Sequence, residues 1–339
     1  MPNGKFTLLA GAALSFALLS ATVSAQEVRN YTVATASTGG TFYPVGVGMA
    51  SLWTDKLSDL NVRASAISSA GSAENVAMMH TGEVEFSIIG GYFGRIAYEG
   101  IEELEQLGPV ERLRTITSLW PNVEQWIMLS DKAPTGTIED VRGQRVNVGR
   151  PGSGTELYSM HTLRGLGIDP DADVSFEYVG FSEAVDLLRD GRIDGGNIGG
   201  GPPIAALTEA YSSMGADRIT MLEFTDEQLE AVQTDSPMPF YRYTLPANTY
   251  PGQTEPVETI AQVTLLAAVS DLEDEVVYEM TKAIFENNEY LRNIHAIMAG
   301  IQLETALDGL PAPLHAGAYD YYVEQGLDIP DNLIPPERR

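Results

Sequence analysis

Twice in the 339 residues an apolar run breaks into glycine and hydroxyl residues and resumes with helical spacing. The stretch 36-ASTGGTFYPVG-46 follows 31-YTVATA-36 and leads into 45-VGVGMASLWTDKL-57; 150-RPGSGTE-156 follows 145-RVNVG-149 and leads into 155-TELYSMHTLRGLG-167. Each is strand, loop and helix in turn, and such units side by side build a mostly parallel sheet covered by helices on both faces. The pattern recurs at 62-VRASAIS-68, through 69-SAGS-72, into 73-AENVAMMHTG-82, whose last glycine suits a helix C-terminus. A buried strand, 84-VEFSIIGG-91, then runs into paired glycines.

The alternation restarts after 115-TITSLW-120 and Pro121. The second series is strand 126–130, a helix near 137–143, strand 145–149, the second glycine loop, helix 155–167, strand 174–180 and helix 182–191. A turn-rich 194-DGGNIGGGPP-203 and a helix over 204–214 complete it. Strand character returns at 258–270, followed by helices over 274–295 and 318–326. A chain of this length exceeds what one core usually serves, about 250 residues. The expected architecture is α/β with two lobes around a cleft. Lobe I would be discontinuous, residues 26–120 plus 242–339, and lobe II would be 121–241, so that two chain crossings form a hinge.

Residues 1–25 read as a signal peptide: Lys5, the apolar 6-FTLLAGAALSFALLSATV-23, and a small-x-small site at Val23-Ser24-Ala25, with the mature chain beginning at Gln26. An exported, periplasmic protein is the expectation. There is no cysteine, which excludes a disulfide framework, a thiolate nucleophile and a cysteine metal site. Loss of Lys5 takes the 20 basic residues to 19 against 47 acids, a mature net charge of −28. Nucleic acid is excluded as a partner at that charge, because phosphate contacts need Lys and Arg. Such acidity fits a saline medium, where a Debye length of about 3 Å at 1 M salt suppresses self-repulsion.

The glycine loops fail the tests for nucleotide or nucleophile sites. Neither has the lysine of a P-loop, the Gly149, Gly152, Gly154 spacing reverses a dinucleotide fingerprint, and Ser153 lacks the context of a hydrolase elbow. What remains is a glycine loop at a strand's C-terminal end before a helix, which aims backbone N–H groups and the positive end of a helix dipole at an anion. Thr41 and Thr155 could equally be simple helix caps. Arg150 flanks the second loop and is the best placed cation for a carboxylate, ahead of Arg95 and Arg242, although it could equally be a surface arginine that neutralises nearby acids. Tyr43, Tyr92, Trp120 and Trp126 are pocket or core aromatics. His80, His161, His295 and His315 have no metal spacing, and 169-DPDAD-173 lacks the glycine and glutamate of a calcium loop, so neither metal nor cofactor is expected.

The run Ser37-Thr38-Gly39-Gly40-Thr41-Phe42-Tyr43-Pro44, then Gly71-Ser72-Ala73-Glu74-Asn75, then Gly149 to Thr155, resembles the TAXI family, the extracytoplasmic solute receptors of TRAP transporters. 246-PANTYPGQ-253 and 311-PAPLHAGAYDYYVEQG-326 are similar to its C-terminal signatures, and the likeness covers essentially the whole mature chain. The resemblance implies a periplasmic-binding-protein-like fold, a small carboxylate ligand (glutamate or 2-oxoglutarate-like), a TRAP membrane permease as partner, and no catalysis. It implies ligand contacts at Thr38, Gly39, Gly40, Thr41 and Tyr43, at Ser72 and Asn75, and at Ser153, Gly154 and Thr155. Where relatives commonly carry a polar run after the third strand, this chain has Gly90-Gly91-Tyr92, which is expected to open space and shift the ligand, with Gly91 and Tyr92 at the site. The rival expectations are a secreted interaction protein and an enzyme on the same scaffold.

Overall fold

The computed structural model describes Met1 and residues 28–339. The remainder of the expected leader and its cleavage site lie outside the described residues. The first series of units forms β1 (Arg29–Ala34), α1 (Phe42–Lys56), β2 (Val62–Ile67), α2 (Ser72–Thr81), β3 (Phe86–Gly90), α3 (Gly91–Glu99) and β4 (Leu113–Val123). The second forms β5 (Trp126–Leu129), β6 (Arg145–Asn147), α4 (Gly154–Gly165), β7 (Ser175–Glu177), α5 (Phe181–Arg189), β8 (Gly195–Asn197), α6 (Ala205–Met214), β9 (Ile219–Met221) and α7 (Asp226–Asp235). The chain closes with β10 (Tyr241–Leu245), β11 (Val257–Val269), α8 (Asp274–Glu286), α9 (Asn288–Ile294) and α10 (Ala316–Glu324).

The strands make two sheets. One runs β10-β11-β3-β1-β2, with β4 along the other edge of β11; the second runs β7-β6-β8-β5-β9. β1 pairs in parallel with both β2 and β3, and β6 with both β7 and β8, as expected of consecutive strand–helix units. All five residues of β3 are buried, which is why it reads as a continuous apolar run rather than an alternating one. α1 lies tight against β1: a Cβ at Gly46 would stand 2.4 Å from Thr35 Cγ2, so glycine sets that approach. Trp53 on α1 is fully buried against Phe86 of β3 and donates its indole N–H to Met280 O at 3.1 Å.

Two long strands connect the sheets. β4 runs through Asn122 and Glu124 into β5, and Glu124 N still donates to Ile260 O at 2.9 Å beyond the strand's end. β11 pairs with β10 over its first half and with β3 over its second, while β4 follows its opposite edge. Leu245, Tyr250 and Val257 pack in one buried cluster with Ile127, Phe181 and Tyr211 of the second sheet's layers.

Several elements differ from the expectation. The helix near 137–143 is only a 3-10 turn at Ile138–Val141, because Asp140 accepts from Thr135 N and Gly136 N and Gly143 turns the chain at φ +74°. The helix expected over 274–295 breaks at Asn287, whose side-chain amide donates back to Ala283 O at 2.9 Å in competition with the ladder. β8, β10 and α7 had no periodic signal: β8 is Gly-Gly-Asn, and its two glycines lie too close to Met128 and Asn147 for any side chain.

Candidate functional site

A small cavity of about 40 Å³, partly open to solvent, lies between the lobes. Its wall includes Thr41 and Phe42, Gly71 and Ser72, Ser153 to Thr155, and Gly180 and Phe181. Those are the first residues of α1, α2, α4 and α5, helices of 15, 10, 12 and 9 residues, so four helix N-termini converge on one space. Each contributes roughly half a positive charge at its end. Glu74, Glu156 and Glu183 in the first turns of α2, α4 and α5 offset part of this field, while α1 carries no acid there.

Arg150 adds a full charge at the rim. A Cβ at Gly180 would stand 3.2 Å from its Nε, so the guanidinium lies over the start of α5. Arg142, Arg145 and Arg189 of the same lobe are paired with carboxylates, whereas the exposed Arg150, like Arg164, Arg192 and Arg218, forms no ion pair among the described residues.

The second loop is built by its own backbone. Gly149 and Gly152 adopt φ +88° and +79°, Ser153 N donates to Arg150 O at 3.0 Å, and Gly152 N donates to Glu156 Oε2 at 2.8 Å. Ser153, not Thr155, caps α4, accepting from Glu156 N at 3.0 Å. That leaves the half-buried Thr155 on the cavity wall. Thr41 donates across the cleft to Gly201 O at 2.6 Å instead of capping α1. Ser72 accepts from Gly90 N at 3.1 Å.

The lobes touch at several other points. Ala206 N donates to Gly39 O at 3.1 Å, Glu103 meets His161 Nε2 at 2.8 Å, and a Cβ at Gly71 would stand 3.3 Å from Ser153 Cα. The Glu103 carboxyl is pushed up by burial, but hydrogen bonds from His161, its own backbone and Tyr92 outweigh this and hold it below the usual range. This is a closed arrangement.

Of the residues expected at the site, Gly40, Thr41, Ser72, Arg150, Ser153, Gly154 and Thr155 line the cavity. Thr38 is exposed and Gly39 sits against Ser182 in the lobe contact. Tyr43, one residue into α1, is half-buried off the cavity wall. Asn75 is fully buried and committed to the fold: it accepts from Ser69 Oγ at 2.6 Å and donates to Thr35 O and Ile88 O at 2.7 and 2.9 Å. No proton of its amide is left for a ligand. Tyr92 turns away to Glu102 and Glu103, and Gly91 packs on Val263.

The Gly90-Gly91-Tyr92 expectation needs correction. These glycines do not open the ligand cavity, because the space at Gly90 is filled from the other lobe. A Cβ there would stand 1.8 Å from Tyr158 Oη on α4, and one at Gly91 would stand 2.3 Å from Val263 Cγ1. Asn122, Gly180, Phe181 and Gly199 line the cavity and were not anticipated. The strand–loop–helix unit at 174–191 held the signal for Gly180 and Phe181. Asn122 and Gly199 carry no local signal and come together only through the β4 crossing and the loop after β8.

Residues 33–326 match a family described as the NMT1-like family. The chain belongs to the NMT1-like family. Among solved structures, this NMT1-like chain is similar to PhnD1 from Prochlorococcus marinus in complex with methylphosphonate, at 13% identity and a TM-score of 0.50, over 80% of this chain and 90% of that one. An ancestral arginine-binding protein bound to arginine matches at 14% and 0.49, over 80% and 98%. The periplasmic aliphatic sulphonate binding protein SsuA from Escherichia coli matches at 14% and 0.44, over 92% and 97%. Likeness at these identities concerns the fold, which is the two-lobed α/β fold of periplasmic binding proteins, with a cleft and two crossings.

Proposed function

We propose that this NMT1-like protein is an extracytoplasmic solute receptor of the TAXI type, capturing a small carboxylate by lobe closure and delivering it to a TRAP membrane permease. The observation that carries this reading is the convergence of four helix N-termini, beside an unpaired Arg150, on one interlobe cavity. Hydroxyls of Ser72, Ser153 and Thr155 and backbone N–H groups suit a carboxylate, and two of the helices come from each lobe, so an anion between them favours the closed form. The ligand class is glutamate or 2-oxoglutarate-like. The site binds and releases without a chemical step, and export through the leader at residues 1–25 places it in the periplasm.

Mass spectrometry of small molecules retained by the purified mature protein, followed by thermal-shift measurements on a carboxylate panel, tests this. A retained organic acid that raises the melting temperature supports it. A cleft that carries no acid and responds to none of the panel contradicts it.

A further inference from the structure

Two buried polar side chains on the cavity wall are not used by the fold. Asn122 on β4 is 6% exposed, and Ser37, at the start of the first glycine loop, is 7% exposed. Neither side chain has a hydrogen-bond partner among the described residues and neither is sealed, so both present free polar atoms to the cavity they line. The other buried hydroxyls there are committed: Thr41 donates to Gly201 O, Ser72 accepts from Gly90 N and Ser153 caps α4. Buried polar groups are almost always hydrogen-bonded, so whatever fills the cavity must satisfy Asn122 and Ser37. The Asn122 amide, with two donors and an acceptor in one plane, is the stronger constraint.

The wall also lacks negative charge: among the described residues none that lines it is Asp or Glu. The first-turn acids Glu74 and Glu156 accept from Ala70 N and Gly152 N and hold the loops. Glu124 lies behind Gly199, 1% exposed, and burial pushes its carboxyl up to about 8 against the opposing hydrogen bond from Asn197. The charges that face the cavity are positive, four helix N-termini and the Arg150 guanidinium at the rim. An ammonium group there would give up its water with no carboxylate to pair it, which burial penalises heavily.

We propose that Asn122 determines which acids the cleft accepts: it donates a hydrogen bond from Nδ2 to an oxo or hydroxyl oxygen beside the ligand's carboxylate, and the cleft rejects the amino acid of the same skeleton. The helix N-termini and Arg150 hold the carboxylate, while Asn122, opposite Gln262 of β11 on the crossing strands, reads the neighbouring group. In a cavity of only about 40 Å³, the group that reaches Asn122 is one bonded close to that carboxylate. Turning the amide over would offer an ammonium one neutral acceptor, which does not offset the positive field around it.

The inference rests on the receptor reading above, narrowing its ligand class to the 2-oxoglutarate-like side, and its test separates the two. The mature wild type is titrated calorimetrically with matched acids: 2-oxoglutarate, 2-hydroxyglutarate, glutamate and glutarate, then pyruvate, lactate, alanine and propionate. In whichever set binds, the oxo or hydroxy acid is expected at least about tenfold tighter than both the amino acid and the unsubstituted acid, the scale of one buried hydrogen bond. Asn122→Ala removes the advantage over the unsubstituted acid without weakening glutarate or propionate themselves. Asn122→Asp, of the same shape but charged, shifts the preference toward the amino acid by at least about tenfold. A loss shared equally by all members of a set would make Asn122 merely structural and overturn the proposal. So would a wild type that binds glutamate or alanine as tightly as its oxo and hydroxy counterparts, a comparison that needs no variant to fold; both results leave the receptor reading intact. A wild type that binds no member of either set overturns the carboxylate-receptor reading, and this inference with it.

Discussion

Replacing Gly90 by alanine should open the protein without damaging either lobe. Gly90 has φ −74° and ψ 148°, ordinary extended backbone that alanine adopts without strain. The added methyl would stand 1.8 Å from Tyr158 Oη and 3.0 Å from Gln262 Nε2. Gln262 belongs to the same sheet as Gly90, but Tyr158 comes from α4 across the cleft. Tyr158 cannot swing aside, because its fully buried ring is wedged between Phe93 and Phe240 at centroid distances of 5.7 and 6.2 Å. Relief therefore requires α4 and its lobe to withdraw. Overpacking of this kind costs about 1–3 kcal/mol. Placed on the closed form alone, that lowers its population relative to the open form by roughly 5- to 150-fold, and apparent affinity by the same factor if only the closed form binds. Calorimetry with a ligand found by retention, and small-angle scattering of the same variant, read both quantities. Gly90→Ala combined with Tyr158→Phe should recover part of the loss, since the ring carbon Cζ would be 3.1 Å from the new methyl. A Gly90→Ala protein with wild-type affinity and wild-type radius would refute the interlocked closure described here.

Thr155→Ala should weaken carboxylate binding by about 1–3 kcal/mol with little loss of stability, because Thr155 lines the cavity while Ser153 caps the helix; Ser153→Ala should lower both, the cap alone contributing about 1 kcal/mol. Glu124 also gives stability a pH dependence. The folded protein holds its proton up to about 8, whereas the unfolded chain releases it near 4.5, so its neutral form favours folding fully below 4.5 and that contribution is lost as pH rises to 8. Denaturation of wild type and Glu124→Gln across this window should show the wild type losing ground by on the order of 1 kcal/mol per pH unit; parallel profiles would show that Glu124 titrates normally. With 47 acids against 20 basic residues, the melting temperature should rise with added NaCl, and a flat response would count against a saline adaptation.

The sequence carried the fold because each strand–loop–helix unit announces itself locally, through the buried run of β3 or the glycine that ends α2. It carried the jaws of the site for the same reason: glycine and hydroxyl residues before α1, α2 and α4 are a local pattern with a local cause. Asn75 shows the limit, since the same polar residue in the same motif serves the fold once Ser69, Thr35 and Ile88 are brought to it. Gly90 shows it again, because a missing side chain reads as empty space until Tyr158 arrives from 68 positions further along. Glu124 had no signal at all. Its character comes from the burial and the lack of a cation that only the two crossings create.

The central claim is that the two lobes close on an organic anion held by helix N-termini from both. Small-angle scattering of protein freed of retained ligand by unfolding and refolding, recorded before and after titration with the acid that the cleft retains, tests it most directly. The expected result is a smaller radius of gyration on saturation, reached only at roughly 5- to 150-fold higher ligand concentration in a Gly90→Ala control. An unchanged radius at full occupancy would contradict closure as the mechanism.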